Sequence, residues 1–295
     1  MNARIRALRL PFVGASVLPY VSGSLSVDAS FRLPPFLLGL VAVVATHLAA
    51  NLVNDHADSA SGVDWADRTR YPFFGGSKLI QDGVLSPRWF LASAVGFSAV
   101  ALIATVGLGA FLGRLDAVLF SVAILFLAWS YSHGPLRLAY RGWGEEVIFL
   151  LFGPATVVGG AFCQLGHLPG ASIFVLSVPF GLLTTAILVA NEVPDADADA
   201  QGGKSNWVHR LGRQRAYLAF AGLVSGAYVL IVGLVFAGVL GVLALGSLAA
   251  VPLGWLATGI LRKRYDDKHA LVSSSRCAIV LHAFVSLFLI LDLWL

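Results

Sequence analysis

The 295-residue chain has little charge and few soft ligands: 12% charged residues, 2 cysteines and 1 methionine. Soluble domains carry roughly 25% charged residues, so this shortage excludes an ordinary water-facing globule. Cys163 and Cys277 fall in apolar runs, where a thiol acts as a small packing group. Two such cysteines supply neither a disulfide framework nor a zinc spacing. The 7 histidines are scattered without a metal-ligand pattern, and His56 and His133 read as spacers in polar stretches. The short alternating segments of a membrane barrel are also missing.

What is present is hydrocarbon. The composition is 58% hydrophobic and the mean hydropathy is +0.81. Apolar windows long enough to cross a bilayer core, about twenty residues each, recur at 8–27, 33–53, 88–113, 116–133, 146–165, 171–191, 215–236, 239–261 and 276–295. Continuous runs of this kind must satisfy their backbone within helices. They predict an all-α integral membrane protein with nine transmembrane helices in one polytopic domain, 1–295. The opening MNARIRALRL and its apolar run superficially resemble a signal peptide. The run is long and no small-residue cleavage site ends it, so it is read as a retained first helix.

Lysine and arginine set the orientation. With the N-terminus cytoplasmic, only Arg32 and Arg114 of the 20 basic residues fall outside, which predicts a C-terminus on the far side and a multi-pass protein of the cell inner membrane. The formal charge of +4 then reflects topology and attraction to anionic headgroups. It gives no reason to invoke nucleic acid.

Acid is concentrated at two helix ends. NLVNDHADSASGVD, residues 51–64, closes the second window, and NEVPDADADAQGG, residues 191–203, closes the sixth. At an offset of 140, Asn51, Val53, Asp55, Ala60 and Gly62 meet Asn191, Val193, Asp195, Ala200 and Gly202, consistent with an internal duplication. Both ends reach the same side of the membrane. On a helix, 51, 55 and 58 share a face, as do 191, 195 and 199. Asn51, Asp55, Asp58, Asn191, Asp195 and Asp199 thus form two columns of oxygen ligands without His or Cys. That donor set suits magnesium, which typically combines one or two carboxylates with substrate phosphates. Polar residues at helix ends often merely face water, but two such ends on one side of a membrane protein point to function.

Basic residues complement the acids. The segment 64–87, long for a helix connection, carries Arg68, Arg70 and Lys78 beside Gly75 and Gly76. Arg68 and Lys78 are candidates for holding phosphate oxygens, and the glycines allow close backbone approach. GGSK is not a Walker loop, which needs a longer spacing between a strand and a helix. Lys204 follows the second acidic end, and Tyr131, Arg137, Tyr140 and Arg141 are candidates for the mouth of the same cavity. Asp64 and Asp67 are candidates for a further metal contact or for removing a proton. RKRYDDKH at 262–269 reads as a headgroup-facing charge run.

Taken jointly, the two acidic motifs, GGSKLIQDGVLSP and YSHGPLRLAYRGWGE resemble the UbiA superfamily of intramembrane prenyltransferases over nearly the whole chain. The Gly62-x-Asp64 ending and the two loops look most like the dihydroxynaphthoate polyprenyltransferases of menaquinone synthesis. Lys204-Ser205-Asn206 stands where relatives usually have Lys-Arg-Thr, a departure that bears on acceptor or chain length. The resemblance implies nine helices around a central cavity and two Mg2+ ions bridging a polyprenyl diphosphate. It also implies an aromatic acceptor, with membrane lipid around the tail. Other acceptors, including another quinone precursor, a porphyrin or a glyceryl phosphate, stay open. So do terpene cyclisation and, from a different class, a cation-coupled transporter. The transporter would place charge in mid-span, whereas these acids sit at helix ends.

Overall fold

The computed structural model describes residues 2–27 and 29–295. Among the described residues, nine longer helical segments carry the fold: α1 (Gly14–Leu25), α2 (Leu33–Ser61), α3 (Pro87–Leu112), α4 (Leu115–Ser132), α5 (Gly144–Leu165), α6 (Ala171–Gln201), α7 (Ala216–Phe236), α8 (Val242–Lys263) and α9 (Lys268–Trp294). Among the described residues, the eight from α2 to α9 are long and apolar enough to cross a membrane.

The first window departs from the expected full-length helix. Arg9 takes a left-handed conformation (φ 52°) and Leu10–Phe12 forms a 3-10 turn with Pro11 near its start. Pro has no N–H to continue a helix. Beyond this turn, α1 has only 12 residues, about 18 Å at ~1.5 Å per residue. The other boundaries reflect local chemistry. Ser86 Oγ accepts from the Trp89 amide, with Pro87 opening α3, and left-handed Gly62 (φ 93°) stops α2. Two helices are irregular within: α5 passes through a π turn at Leu151–Ala155 containing Pro154, and α8 starts as a 3-10 helix over Val242–Ala250.

α6 is the axis of the bundle. Its apolar window is 72% buried, against 28–50% for the other long helices. α7, α9 and α5 pack on it, α2 lies along α3 and α4, and α1 is lodged against α5, α2 and α9. Helices in lipid gain little from the hydrophobic effect and associate through close packing of small residues. A Cβ on Gly23 of α1 would run into the Val157 carbonyl of α5, and one on Gly160 of α5 into the Tyr20 carbonyl of α1. This seam seats the short helix.

Leucine at Gly160 should cost about 2 kcal/mol or more, as overpacking of a tight contact does, whereas leucine at Gly222, which has open space around its Cβ position, should cost little. Thermal unfolding of both variants in detergent checks this.

Candidate active site

The C-terminal ends of α2 and α6 meet at one end of the bundle, and a carboxylate from each is held by one shared cation. Lys204, just past α6, places Nζ 2.7 Å from Asp58 of α2 and 3.5 Å from Asp199 of α6. Burial disfavours its charge, but Asp199 and Asp58 outweigh this and hold the ammonium well above its usual range. Asp58 also accepts from the Tyr140 hydroxyl at 2.6 Å and from Asn54 Nδ2 at 3.2 Å. Asn206 Nδ2 donates to Asp199 at 3.1 Å. Burial first, then Asp58, pushes the Tyr140 hydroxyl up to about 12, so it stays a donor.

The segment between α2 and α3 folds over these ends. Asp64 sits in a short helix, Val63–Ala66, and pairs with Lys78 at 2.9 Å, both side chains at most 4% exposed. Lys78 Nζ also donates to the Asp64 carbonyl. Farther along, the Gly75 amide donates to Asp195 at 2.8 Å and the Ser77 amide to Asp55 at 3.2 Å. One short stretch of backbone therefore holds an acid from each helix. Gly75 and Gly76 have positive φ (77° and 71°), and a Cβ on Gly76 would press on the Asp64 carboxylate at 2.8 Å. Glycine serves here for both conformation and space.

These groups surround a cavity of about 220 Å³. Its wall includes Asn51, Asn54, Asp58, Asp64, Asp67, Lys78, Tyr131, Asn191, Glu192, Asp195, Asp199 and Lys204. Several of the expected site residues thus meet in one space. Asp55 sits behind the wall, 2% exposed, facing Arg9 at 3.5 Å. The face of α2 turned to the cavity runs 47, 51, 54, 58, so Asn54 stands where the spacing suggested Asp55. Asn51 Nδ2 donates to the Leu8 carbonyl at 3.2 Å. Asp67 lines the cavity and pairs with Lys268 at 2.5 Å. Burial raises its pKa, but Lys268 and the Thr69 amide prevail and hold it below the usual carboxylate range.

Three basic candidates are turned elsewhere. Arg68 donates to the Gln81 carbonyl at 2.8 Å. Arg141 donates to the Pro135 carbonyl at 3.2 Å. Arg137 stacks over the Tyr140 ring at 3.8 Å. Spacing alone also missed Glu192, Asn206 and the role of Arg9, which read as a topology charge.

A hard cation suits the wall. At its acidic end the donors are oxygens, and Asn191 Oδ1 and Glu192 Oε2 are buried without partners among the described residues. No group of three or more His, Cys, Asp or Glu side chains converges as a metal cage among the described residues. Magnesium needs none, because it keeps several waters and leans on substrate phosphates. The open wall therefore fits the ion, with Asp58, Asp195, Asp199 and the neighbouring asparagine oxygens as candidate holders.

Comparison with known proteins gives a consistent set of likenesses. Residues 16–288 match the UbiA prenyltransferase family. The chain is 32% identical over 229 residues to the 1,4-dihydroxy-2-naphthoate octaprenyltransferase of Mycobacterium tuberculosis, covering 77% of this chain and 74% of that one. It is 33% identical over 239 residues to the UbiA prenyltransferase domain-containing protein 1 of Danio rerio, covering 77% and 67%. Its fold resembles an apo UbiA homolog from Aeropyrum pernix K1 (TM-score 0.71, 21% identity, 99% of each chain). It also resembles a UbiA homolog from Archaeoglobus fulgidus bound to GPP and Mg2+ (TM-score 0.66, 16% identity, 98% of this chain and 99% of that one).

The charge at Asp64 has a measurable signature. Burial first, then Asp55 and Asp58, raises its pKa to about 7 against the pull of Lys78. The folded protein then holds a proton that the unfolded chain releases near pH ~4. Stability from this group is full below that value and falls as pH rises toward about 7. Asp64→Asn should flatten the fall, read from thermal unfolding across that window without divalent cations.

Proposed function

Because the chain belongs to the UbiA prenyltransferase family and is thus a prenyltransferase, we propose that it transfers a polyprenyl group from an isoprenoid diphosphate to 1,4-dihydroxy-2-naphthoate with Mg2+. The observation that carries this reading is a pair of adjoining cavities of opposite character. The polar one holds both acidic helix ends. The second, about 110 Å³, is lined largely by apolar groups, including Leu108, Ile124, Phe152 and Phe162, and shares a wall with the first. A diphosphate belongs in the polar space and its isoprenoid tail in the apolar one.

In this reading the diphosphate lies against Lys204 and Lys78, each already aligned by buried carboxylates. Asn51, Asn54, Asp58, Asn191, Asp195 and Asp199 are the candidate holders of two Mg2+ ions. Bound there, Mg2+ would neutralise the charge that grows on the leaving diphosphate. The allylic C–O bond breaks with its electron pair going to the diphosphate, a ring carbon of the acceptor bonds to the allylic carbon, and the ring proton is lost. Asp55 holds the covering segment through Ser77, and Tyr140 orients Asp58. Asp64 and Asp67 face the cavity as candidates for proton removal or a further metal contact. The 1,4-dihydroxy-2-naphthoate octaprenyltransferases among the relatives support this choice of acceptor.

The membrane arrangement belongs to the same proposal: nine segments around a central cavity, with α1 as the ninth. The polar end faces the cytoplasm and the C-terminus the far side of the cell inner membrane, as the distribution of Lys and Arg indicates.

Purified protein with a polyprenyl diphosphate and dihydroxynaphthoate should form the prenylated product only with Mg2+, and chelation should abolish it. Asp58→Asn and Asp195→Asn should each lower kcat/KM on the order of 10²–10³-fold, the scale of losing one preorganised electrostatic contact. Tyr140→Phe should lower it roughly tenfold, as loss of one hydrogen bond to a charged group would. Undiminished diphosphate release in the Asp variants would sink the metal-diphosphate site. Product formed only with a different acceptor would remove the naphthoate assignment alone.

A further inference from the structure

The polar and apolar cavities meet along five residues, His47, Ala50, Ala128, Leu151 and Phe152. Of these, His47 alone carries a polar side chain. It is 6% exposed, and its Nδ1 lies 2.6 Å from Ser16 Oγ of α1, which fixes the ring. Phe152 of α5 meets the imidazole edge-on at 5.5 Å between centroids. The other nitrogen, Nε2, is buried with no hydrogen-bond partner among the described residues. In either tautomer, a satisfied Nδ1 leaves Nε2 with one hydrogen bond to give or to take. Buried polar groups are seldom left so.

The place of this nitrogen along α2 separates it from the diphosphate. His47 precedes Asp58 by about three helical turns, roughly 16 Å at ~1.5 Å per residue, and the two lysines lie at the Asp58 end. A donor whose tail enters the apolar cavity turns its allylic carbon, which is bonded directly to the diphosphate, to the side of the polar cavity that faces the junction. The second substrate must reach the same carbon. A hydroxylated aromatic ring is mostly apolar with a polar edge, and the junction offers an apolar wall with a single hydrogen-bonding atom.

We propose that His47 Nε2 hydrogen-bonds a ring hydroxyl of the aromatic acceptor and so sets the neighbouring ring carbon against the allylic carbon of the donor. The inference rests on the prenyl-transfer reading above and adds an acceptor subsite to it. Ser16 is a positioning residue for the imidazole, and Phe152 supplies a face for the acceptor ring.

Two polar variants separate the contact from the fold. His47→Asn keeps an amide near Nδ1, facing Ser16, and removes the Nε2 position, while His47→Gln places its amide nitrogen or oxygen near Nε2. With Mg2+ present, His47→Asn should raise the acceptor KM on the order of 10- to 100-fold, the scale of one buried hydrogen bond. The donor KM and the binding of geranyl diphosphate should stay unchanged, and His47→Gln should recover much of the loss. An acceptor methylated at the bonded hydroxyl should be penalised in the wild type and not further in His47→Asn. An unchanged acceptor KM in His47→Asn, or equal rises for both substrates, would overturn the inference alone. Absence of prenyl transfer by the wild type to any hydroxylated aromatic would overturn the prenyl-transfer reading, and this subsite with it.

Discussion

Carboxylates enclosed at the ends of membrane helices must be offset by fixed cations and donors, and the architecture at this end of the bundle follows from that requirement. Two like charges about 4 Å apart repel by roughly 4 kcal/mol at an effective dielectric of ~20, and burial adds its own penalty. Here Asp58 and Asp199 share Lys204, Asp64 has Lys78 and Asp55 has Arg9. Each cation arrives from a connecting segment or a helix terminus. The connections are therefore drawn inward over the cavity instead of running free over the surface, as most loops do. On the proposed reading, the charges paired here are also those a metal-bound diphosphate would engage.

The apolar half is organised by close backbone approach. Glycines at the α1–α5 seam let the 12-residue α1 lie against α5. From there Ser16 reaches His47, and Tyr20 closes part of the apolar cavity while donating to the Phe36 carbonyl at 2.8 Å. A helix too short to span by itself thus supplies wall to the chamber beside α2. Thr156 satisfies carbonyls of the π turn in α5, donating to Phe152 at 2.7 Å, so the irregular backbone stays paired where the two cavities adjoin.

The sequence made the apolar helices and the two acidic ends legible because both signals are local: a run of hydrocarbon needs no partner to be recognised, and N-x-x-x-D twice is visible as text. Which face of α2 met the cavity was not local. Positions 51, 55 and 58 and positions 51, 54 and 58 both satisfy helical adjacency, and only the neighbours decide that Asp55 turns to Arg9. Basic residues were harder still, since their long side chains reach in many directions. Lys78 and Lys204 turn inward to carboxylates, whereas Arg68 and Arg141 satisfy backbone carbonyls and Arg137 stacks on Tyr140. Arg9 was hidden by its place in a window read as helix, although its left-handed backbone breaks that helix. The polarity of Glu192 was plain, but its place on the cavity wall depends on how α6 rotates against its neighbours.

The amides of Gly75 and Ser77 hold Asp195 and Asp55, which belong to different helices. Two residues of extended chain cover at most ~7 Å, so these anchors form a calliper whose widest opening is set by covalent bond lengths. Side-chain packing between helices drifts as surfaces diverge; peptide geometry does not. The greatest separation of the two acidic ends is thus limited by the backbone.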